Sequence, residues 1–139
     1  RRLRLPDSRA VLLSDTVGFI RKLPPAIINA FRATLEELNE ASILLHVVDL
    51  TSHNAPEQCQ TVEDILADLS LTDKPRITVL NKIDLLLENG QTWDEEKAIN
   101  FLSRREDEIN ENAVLVSAVK GWGLTGLLEK ISQVVPGPD

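Results

Sequence analysis

Short apolar runs alternate with amphipathic stretches along the chain, a pattern typical of strands separated by helices. Residues 10–14, 43–50 and 76–80 are almost continuously apolar, which predicts strands buried on both faces of a sheet. Residues 2–5 alternate arginine with leucine, which predicts a half-exposed or edge strand, and residues 113–116 predict a short final strand.

The amphipathic stretches predict four helices between and after these strands. Apolar side chains recur in them at intervals of three and four residues, as Ile27, Phe31, Leu35 and Leu38 do. The predicted helices cover residues 27–38, 56–69, 95–108 and 124–134. Strands joined by helices imply an α/β fold with a mostly parallel sheet and helices on both of its faces. Such sheets bind ligands at the carboxyl ends of their strands.

Composition narrows the class of protein. With 139 residues the chain fits one domain, and no apolar run approaches the roughly 20 residues that span a bilayer. The basic N-terminus is followed by Pro6, Asp7 and Ser8 instead of the apolar stretch of a signal peptide. The single cysteine, Cys59, excludes an internal disulfide, so we expect a reducing, cytoplasmic setting. The net charge of −7 argues against an autonomous nucleic-acid binder, because phosphate contacts need a basic face.

Asn81-Lys82-Ile83-Asp84 directly follows the predicted strand 76–80 and carries the strongest chemical signal. The Asp84 carboxylate can accept hydrogen bonds from the ring N–H and the exocyclic amine of guanine, a donor pair that adenine lacks. The stem of Lys82 can lie along one face of the base while its ammonium stays hydrated, and the Asn81 amide can tie neighbouring loops together. The same residues also suit an ordinary turn, so their position after a buried strand is what favours a guanine site.

Two weaker clusters follow other strands. Asp15 can hold a magnesium ion through water, and Gly18, three residues on, lets a backbone N–H approach a terminal phosphate. Ser117 and Ala118 are small enough for backbone N–H groups to meet the guanine carbonyl oxygen. Asp-x-x-Gly and Ser-Ala are each common in turns, so the inference depends on three clusters occurring together at strand ends.

Longer strings in the sequence resemble the HflX family of GTPases. They are Leu12-Leu13-Ser14-Asp15-Thr16-Val17-Gly18-Phe19-Ile20-Arg21, Ala30-Phe31-Arg32-Ala33-Thr34-Leu35-Glu36-Glu37 and Leu44-Leu45-His46-Val47-Val48-Asp49. The resemblance extends over essentially the whole chain. It implies a Ras-like G domain that binds GTP or GDP with magnesium and hydrolyses GTP, in a protein that acts on the large ribosomal subunit.

The same resemblance implies roles for individual residues. Asp15 matches the family's magnesium position, and Gly18 matches its γ-phosphate position. The residues that match its guanine-reading positions are Asn81, Lys82, Asp84, Ser117 and Ala118. Phe19 occupies the place of the water-positioning glutamine of Ras-like proteins, so no catalytic residue is predicted.

A phosphate-binding loop of the form G-x-x-x-x-G-K-[ST] does not occur in the sequence. By the resemblance, the chain begins at the second strand of the G domain and lacks the first strand, the phosphate loop and the first switch. We therefore expect the intact protein to hydrolyse GTP and this chain alone to be inactive. Two rivals stay open: a non-enzymatic α/β interaction module that binds no nucleotide, and an adenine-preferring nucleotide-binding protein, against which Asp84 argues.

The absent first strand predicts a slot in the sheet. In Ras-like domains, the strand that leads into the phosphate loop lies between the counterparts of residues 10–14 and 43–50. Unpaired backbone groups along a slot recruit another strand, and each one left buried costs about 1–3 kcal/mol. We therefore expect either direct pairing of the two flanking strands or an oligomer in which a second chain supplies a swapped or edge-paired strand.

Overall fold

The computed structural model describes residues 1–14, 36, 38–87, 92–105 and 112–135. The strands in these ranges are β1 (Arg2–Arg4), β2 (Ala10–Leu12), β3 (Leu44–Asp49), β4 (Arg76–Asn81) and β5 (Ala113–Leu115). The helices are α1 (Ala55–Asp68), α2 (Glu95–Arg105) and α3 (Leu124–Val134), and a short 3₁₀ helix covers Ile83–Leu86. The predicted helix 27–38 lies outside the described residues except at its end, where residues 36 and 38–40 are helical.

Two sheets are present in the described ranges. β3, β4 and β5 form a parallel sheet in that order, whereas β1 and β2 form a separate antiparallel hairpin. The parallel pairing confirms the predicted α/β class, and α3 has the predicted bounds. Within the described part of the chain, none of the helices is both long and apolar enough to cross a membrane.

Helices cover both faces of the parallel sheet. Leu44 of β3 packs with Leu66 of α1, whereas the adjacent Leu45 packs against the cluster that contains Ile131 of α3. Successive side chains of a strand point to opposite faces, so α1 and α3 lie on opposite sides of β3. This arrangement confirms the predicted layers.

The β1–β2 hairpin is attached to α3 and to the face of the parallel sheet that α3 covers. Leu5, directly after β1, is buried in a cluster with Ile77, Val116 and Ile131. The Arg9 guanidinium donates hydrogen bonds to the carbonyl oxygens of Ser132 at 2.6 Å and Val135 at 3.3 Å. Since carbonyls in the last turn of a helix lack partners within the helix, Arg9 caps the end of α3 while it holds the hairpin in place.

Direct pairing of the two strands that flank the predicted slot is wrong. β2 forms backbone hydrogen bonds with β1, and β3 forms them with β4, in two different sheets. Leu5 packs in a cluster that includes side chains of β3, β4 and α3, and Arg9 bonds to the last turn of α3, so side-chain contacts hold the hairpin without backbone pairing to β3. The other expectation, a strand supplied by a second chain, stays a prediction.

The prediction that β2 is buried on both faces is also wrong. The side chain of Leu12 is 77% exposed and that of Leu13 is 44% exposed. β3 differs from its prediction at Val47, which is 61% exposed. A strand is covered only where other elements pack on it, and β1 is the only strand that pairs with β2 among the described residues.

Candidate functional site

The ends of β3, β4 and β5 meet at one edge of the parallel sheet. Asp49, the last residue of β3, is the register partner of Asn81, the last residue of β4. The backbone N–H of Leu50 donates to the Asn81 carbonyl at 3.2 Å. The Val116 N–H, just after β5, donates to the Leu80 carbonyl at 2.9 Å. Backbone bonds therefore fix the three loops that leave this edge relative to one another.

Ser117 orients the carboxylate of Asp84. Its hydroxyl donates to Oδ1 of Asp84 at 2.8 Å and accepts the backbone N–H of Lys120 at 3.1 Å. Ser117 has an exposed fraction of 0%, so its hydroxyl has a fixed environment. An ionised carboxylate has about four acceptor sites, and the bond from Ser117 uses only one. Asp84 can therefore accept two parallel donors from a ligand while its plane is held by Ser117.

A second side-chain bond connects the same two loops. The side-chain oxygen of Asn81 accepts the backbone N–H of Ala118 at 3.1 Å. The predicted site residues Asn81, Asp84, Ser117 and Ala118 are thus brought together by direct contacts. We attribute the tying of neighbouring loops, predicted for the Asn81 amide, to this bond.

Lys82 lies between these contacts in the left-handed backbone region, with φ 73° and ψ 32°. Its Nζ donates to Oδ2 of Asp49 at 2.9 Å. Oδ1 of Asp49 accepts the backbone N–H of Thr51 at 2.9 Å and the Thr51 hydroxyl at 2.6 Å. The hydrogen bond from the Thr51 hydroxyl, followed by the one from Lys82, lowers the pKa of Asp49 to about 2. The carboxylate is therefore charged at neutral pH.

Asp49 was not among the residues predicted from the sequence to form the site. A signal was present, because Asp49 ends a predicted buried strand in the same way that Asn81 does. The carboxyl ends of parallel strands share one edge, where ligands of such sheets bind. That rule places Asp49 beside Asn81 and Lys82.

The loop after β5 is a closed hairpin. The backbone N–H of Ser117 donates to the Trp122 carbonyl at 2.9 Å, and the Trp122 N–H donates to the Ser117 carbonyl at 3.0 Å. Gly123 follows with φ +76°, and a Cβ there would lie 2.1 Å from the Leu115 carbonyl oxygen. A side chain at this position is excluded by that approach, so glycine fixes the path of the chain into α3.

An apolar cluster lies beneath the site and joins all of its loops. Its buried members are Ile83, Leu102 and Leu115. Trp122 is partly buried against this cluster. Ile83 precedes Asp84, and Leu115 is two residues before Ser117. Because Leu102 belongs to α2, the packing of α2 supports the backbone that carries the polar side chains of the site.

Asp15 and Gly18, the residues predicted to bind magnesium and phosphate, lie outside the described residues. In the part of the chain that the structure describes, no cluster of three or more His, Cys, Asp or Glu side chains has the arrangement of a metal site.

Comparison with known proteins identifies the family. Residues 1–82 match the family described as 50S ribosome-binding GTPase. The chain belongs to this family. It is 35% identical over 137 residues to the GTPase HflX of Escherichia coli K12, which covers 99% of this chain and 30% of that protein. It is 39% identical over 136 residues to the GTPase HflX of Chlamydia pneumoniae, which covers 97% of this chain and 26% of that protein.

The predicted resemblance to HflX GTPases is thereby confirmed. Membership of this family does not favour the rival interpretation as a non-enzymatic module. The chain spans less than a third of the length of these curated relatives.

Solved structures confirm the predicted Ras-like G-domain fold. A GTP-binding protein of Sulfolobus solfataricus, solved in complex with GDP, has a TM-score of 0.69 and 33% identity. The match covers 97% of this chain and 44% of that chain. Era of Aquifex aeolicus, solved with GDP and AlF4−, has a TM-score of 0.67 at 21% identity and covers 99% of this chain and 44% of that chain. This second likeness concerns the fold alone.

Proposed function

We propose that the chain is the guanine-reading part of the G domain of an HflX-type GTPase. One observation carries the proposal: the Ser117–Asp84 and Ala118–Asn81 hydrogen bonds join the two loops that sequence reasoning assigned to the base. In the intact protein, Asp84 accepts the ring N–H and exocyclic amine of guanine. Asn81 and Ser117 hold the loops together, and the backbone at Ala118 faces the guanine carbonyl oxygen.

The phosphate half of the site belongs to the same proposal. Asp15 holds a magnesium ion through water, and the Gly18 backbone contacts the γ-phosphate. Magnesium would supply charge neutralisation on the phosphates of GTP, which is a large part of phosphoryl-transfer catalysis.

The phosphate-binding loop, and the strand that leads into it, come from a part of the protein that precedes residue 1. This strand runs between β2 and β3. Leu12 on β2 is 77% exposed and Val47 on β3 is 61% exposed. These large apolar side chains at the surface support the position of the added strand. Isolated apolar side chains on a surface are ordinary, but a strand added between β2 and β3 would bring its own side chains beside these two.

The intact protein hydrolyses GTP and acts on the large ribosomal subunit in the cytoplasm. The name of the matched family and the HflX relatives support this part of the proposal. By itself, the 139-residue chain hydrolyses no GTP, because its sequence contains no phosphate-binding loop to position the phosphates.

A nucleotide competition experiment tests the proposal. The intact protein is loaded with a fluorescent GDP analogue, which is then displaced by GDP or by ADP. We expect GDP to bind about 10⁴-fold more tightly than ADP, because adenine leaves the Asp84 carboxylate without the two donors of guanine. Equal displacement by ADP would favour the adenine-preferring rival, and failure of any nucleotide to bind would favour the interaction module.

A further inference from the structure

The side chain of Lys82 is fixed at both ends. Around its Cα, the N–H of Ile83 donates to the Val116 carbonyl at 3.3 Å, and the carbonyl of Lys82 accepts the N–H of Leu85 at 3.1 Å. At the far end, Nζ is bonded to Asp49 at 2.9 Å. The four-carbon stem is therefore held across the edge of the sheet, from the end of β4 to the end of β3.

Asp49 is itself held rigidly, because its two carboxylate oxygens have different partners. Oδ1 accepts two hydrogen bonds from Thr51, and Oδ2 accepts the one from Lys82. Asp49 and Asn81 are register partners in the parallel ladder, so the backbone that carries the carboxylate is fixed relative to the end of β4. The ammonium of Lys82 therefore bonds to a carboxylate that is itself held in place by Thr51.

The ion pair contributes little to folding stability. The side chains of Lys82 and Asp49 are 45% and 36% exposed, and exposed pairs contribute only about 0–1 kcal/mol in general. Nevertheless, the left-handed backbone of Lys82 is unusual for a residue other than glycine. Lys82 thus has a constrained backbone, and its ammonium is anchored at the edge where a ligand is predicted to bind. These features indicate that the bond to Asp49 positions Lys82 for a ligand, since it adds little to folding stability.

We propose that Asp49 is a positioning residue of the guanine site, which holds the stem of Lys82 as a wall for one face of the bound base. This proposal rests on the proposed function and extends it to a residue that the guanine-reading set does not contain. In the absence of the anchor, the long lysine side chain samples several rotamers, and binding of the base has to order it. Ordering a rotamer-rich side chain lowers affinity. Asp49 avoids this loss by ordering Lys82 beforehand.

The test is a double-mutant cycle in the intact protein with GDP as the probe. Asp49→Asn keeps the acceptor for Thr51 and removes the negative charge that attracts Lys82. We expect it to weaken GDP binding about fivefold, the upper end of the effect of an exposed charge pair, and to lower the unfolding temperature by at most a few degrees. Lys82→Met weakens GDP binding as well, and in that background Asp49→Asn has no further effect. Exposed Asp64 on α1 provides the matched control, since Asp64→Asn makes the same charge change away from the site.

Each result decides the proposal. An unchanged GDP affinity in Asp49→Asn overturns it. So does an equal loss of GDP affinity from Asp49→Asn in the wild-type and in the Lys82→Met background, which would show that Asp49 acts through the Thr51 loop. A wild-type protein that binds no GDP overturns the proposed function and this inference together. A wild-type protein that binds GDP normally, with no response to Asp49→Asn, overturns this inference alone.

Discussion

The edge of the β3–β4–β5 sheet and the β1–β2 hairpin are attached to the molecule in different ways. At the edge, backbone bonds at Asn81 and Val116 and side-chain bonds at Asp84 connect each loop to the next. The hairpin is held mainly by one buried side chain, Leu5, and by the bonds from Arg9 to the end of α3. The geometry of the proposed base site is thus built from contacts within its own sheet. The end of β2, which leads to Asp15, depends on distant anchors.

The largest effect is expected at the edge itself, from Gly123→Ala. The new Cβ would lie 2.1 Å from the Leu115 carbonyl oxygen, at a φ of +76°. A backbone collision at positive φ should destabilise the Ser117–Trp122 hairpin by about 3–4 kcal/mol. Hydrogen exchange of the Ser117 and Trp122 amides in the intact protein measures this loss.

Gly126→Ala is the matched control for that substitution. Gly126 lies in α3, and a Cβ there would meet nothing within 4 Å. It should stabilise the helix by about 0.5–1 kcal/mol, because alanine is the better helix former. Equal protection of Ser117 and Trp122 in both variants would contradict the tight path proposed for the chain at Gly123.

A smaller and more local effect is expected from Leu5→Ala. Leu5 is 2% exposed, and removal of such a side chain from a partly covered cluster should cost about 2–3 kcal/mol. Exchange of the β1 and β2 amides should accelerate, and the preference for GDP over ADP should persist. Arg4→Ala, at an exposed position of the same hairpin, should change stability by less than about 0.5 kcal/mol. If the Asn81 and Ser117 amides lost as much protection from hydrogen exchange as the hairpin amides, the two regions would not differ in how they are attached.

The sequence was most informative where a short string determines both structure and chemistry. Asn81 to Asp84 and Ser117-Ala118 could be placed together at one edge of the sheet because each follows an apolar run directly, and the carboxyl ends of parallel strands share one edge. The bounds of α3 could be predicted because Gly123 and Pro136 flank an amphipathic stretch. These assignments need no knowledge of distant contacts.

Features that depend on distant contacts could not be predicted in the same way. The Asp49–Lys82 bond joins residues 33 positions apart, and only the register of β3 against β4 brings them together. The exposure of Leu12 depends on which elements cover β2, which an apolar run alone does not specify. The role of Arg9 follows from its contact with the last turn of α3, 123 residues later at Ser132.

The most direct measurement of the central claim is the base preference of Asp84→Asn in the intact protein. An amide accepts less well from the two guanine donors but can donate to the extra carbonyl of xanthine. We therefore expect GDP affinity to fall about 100-fold, in line with the loss of hydrogen bonds to a charged group, and xanthosine diphosphate to become the preferred ligand. Asp64→Asn should retain the wild-type preference. GDP affinity equal to that of the wild type in Asp84→Asn would remove Asp84 from the base site and contradict the assignment of this edge to guanine.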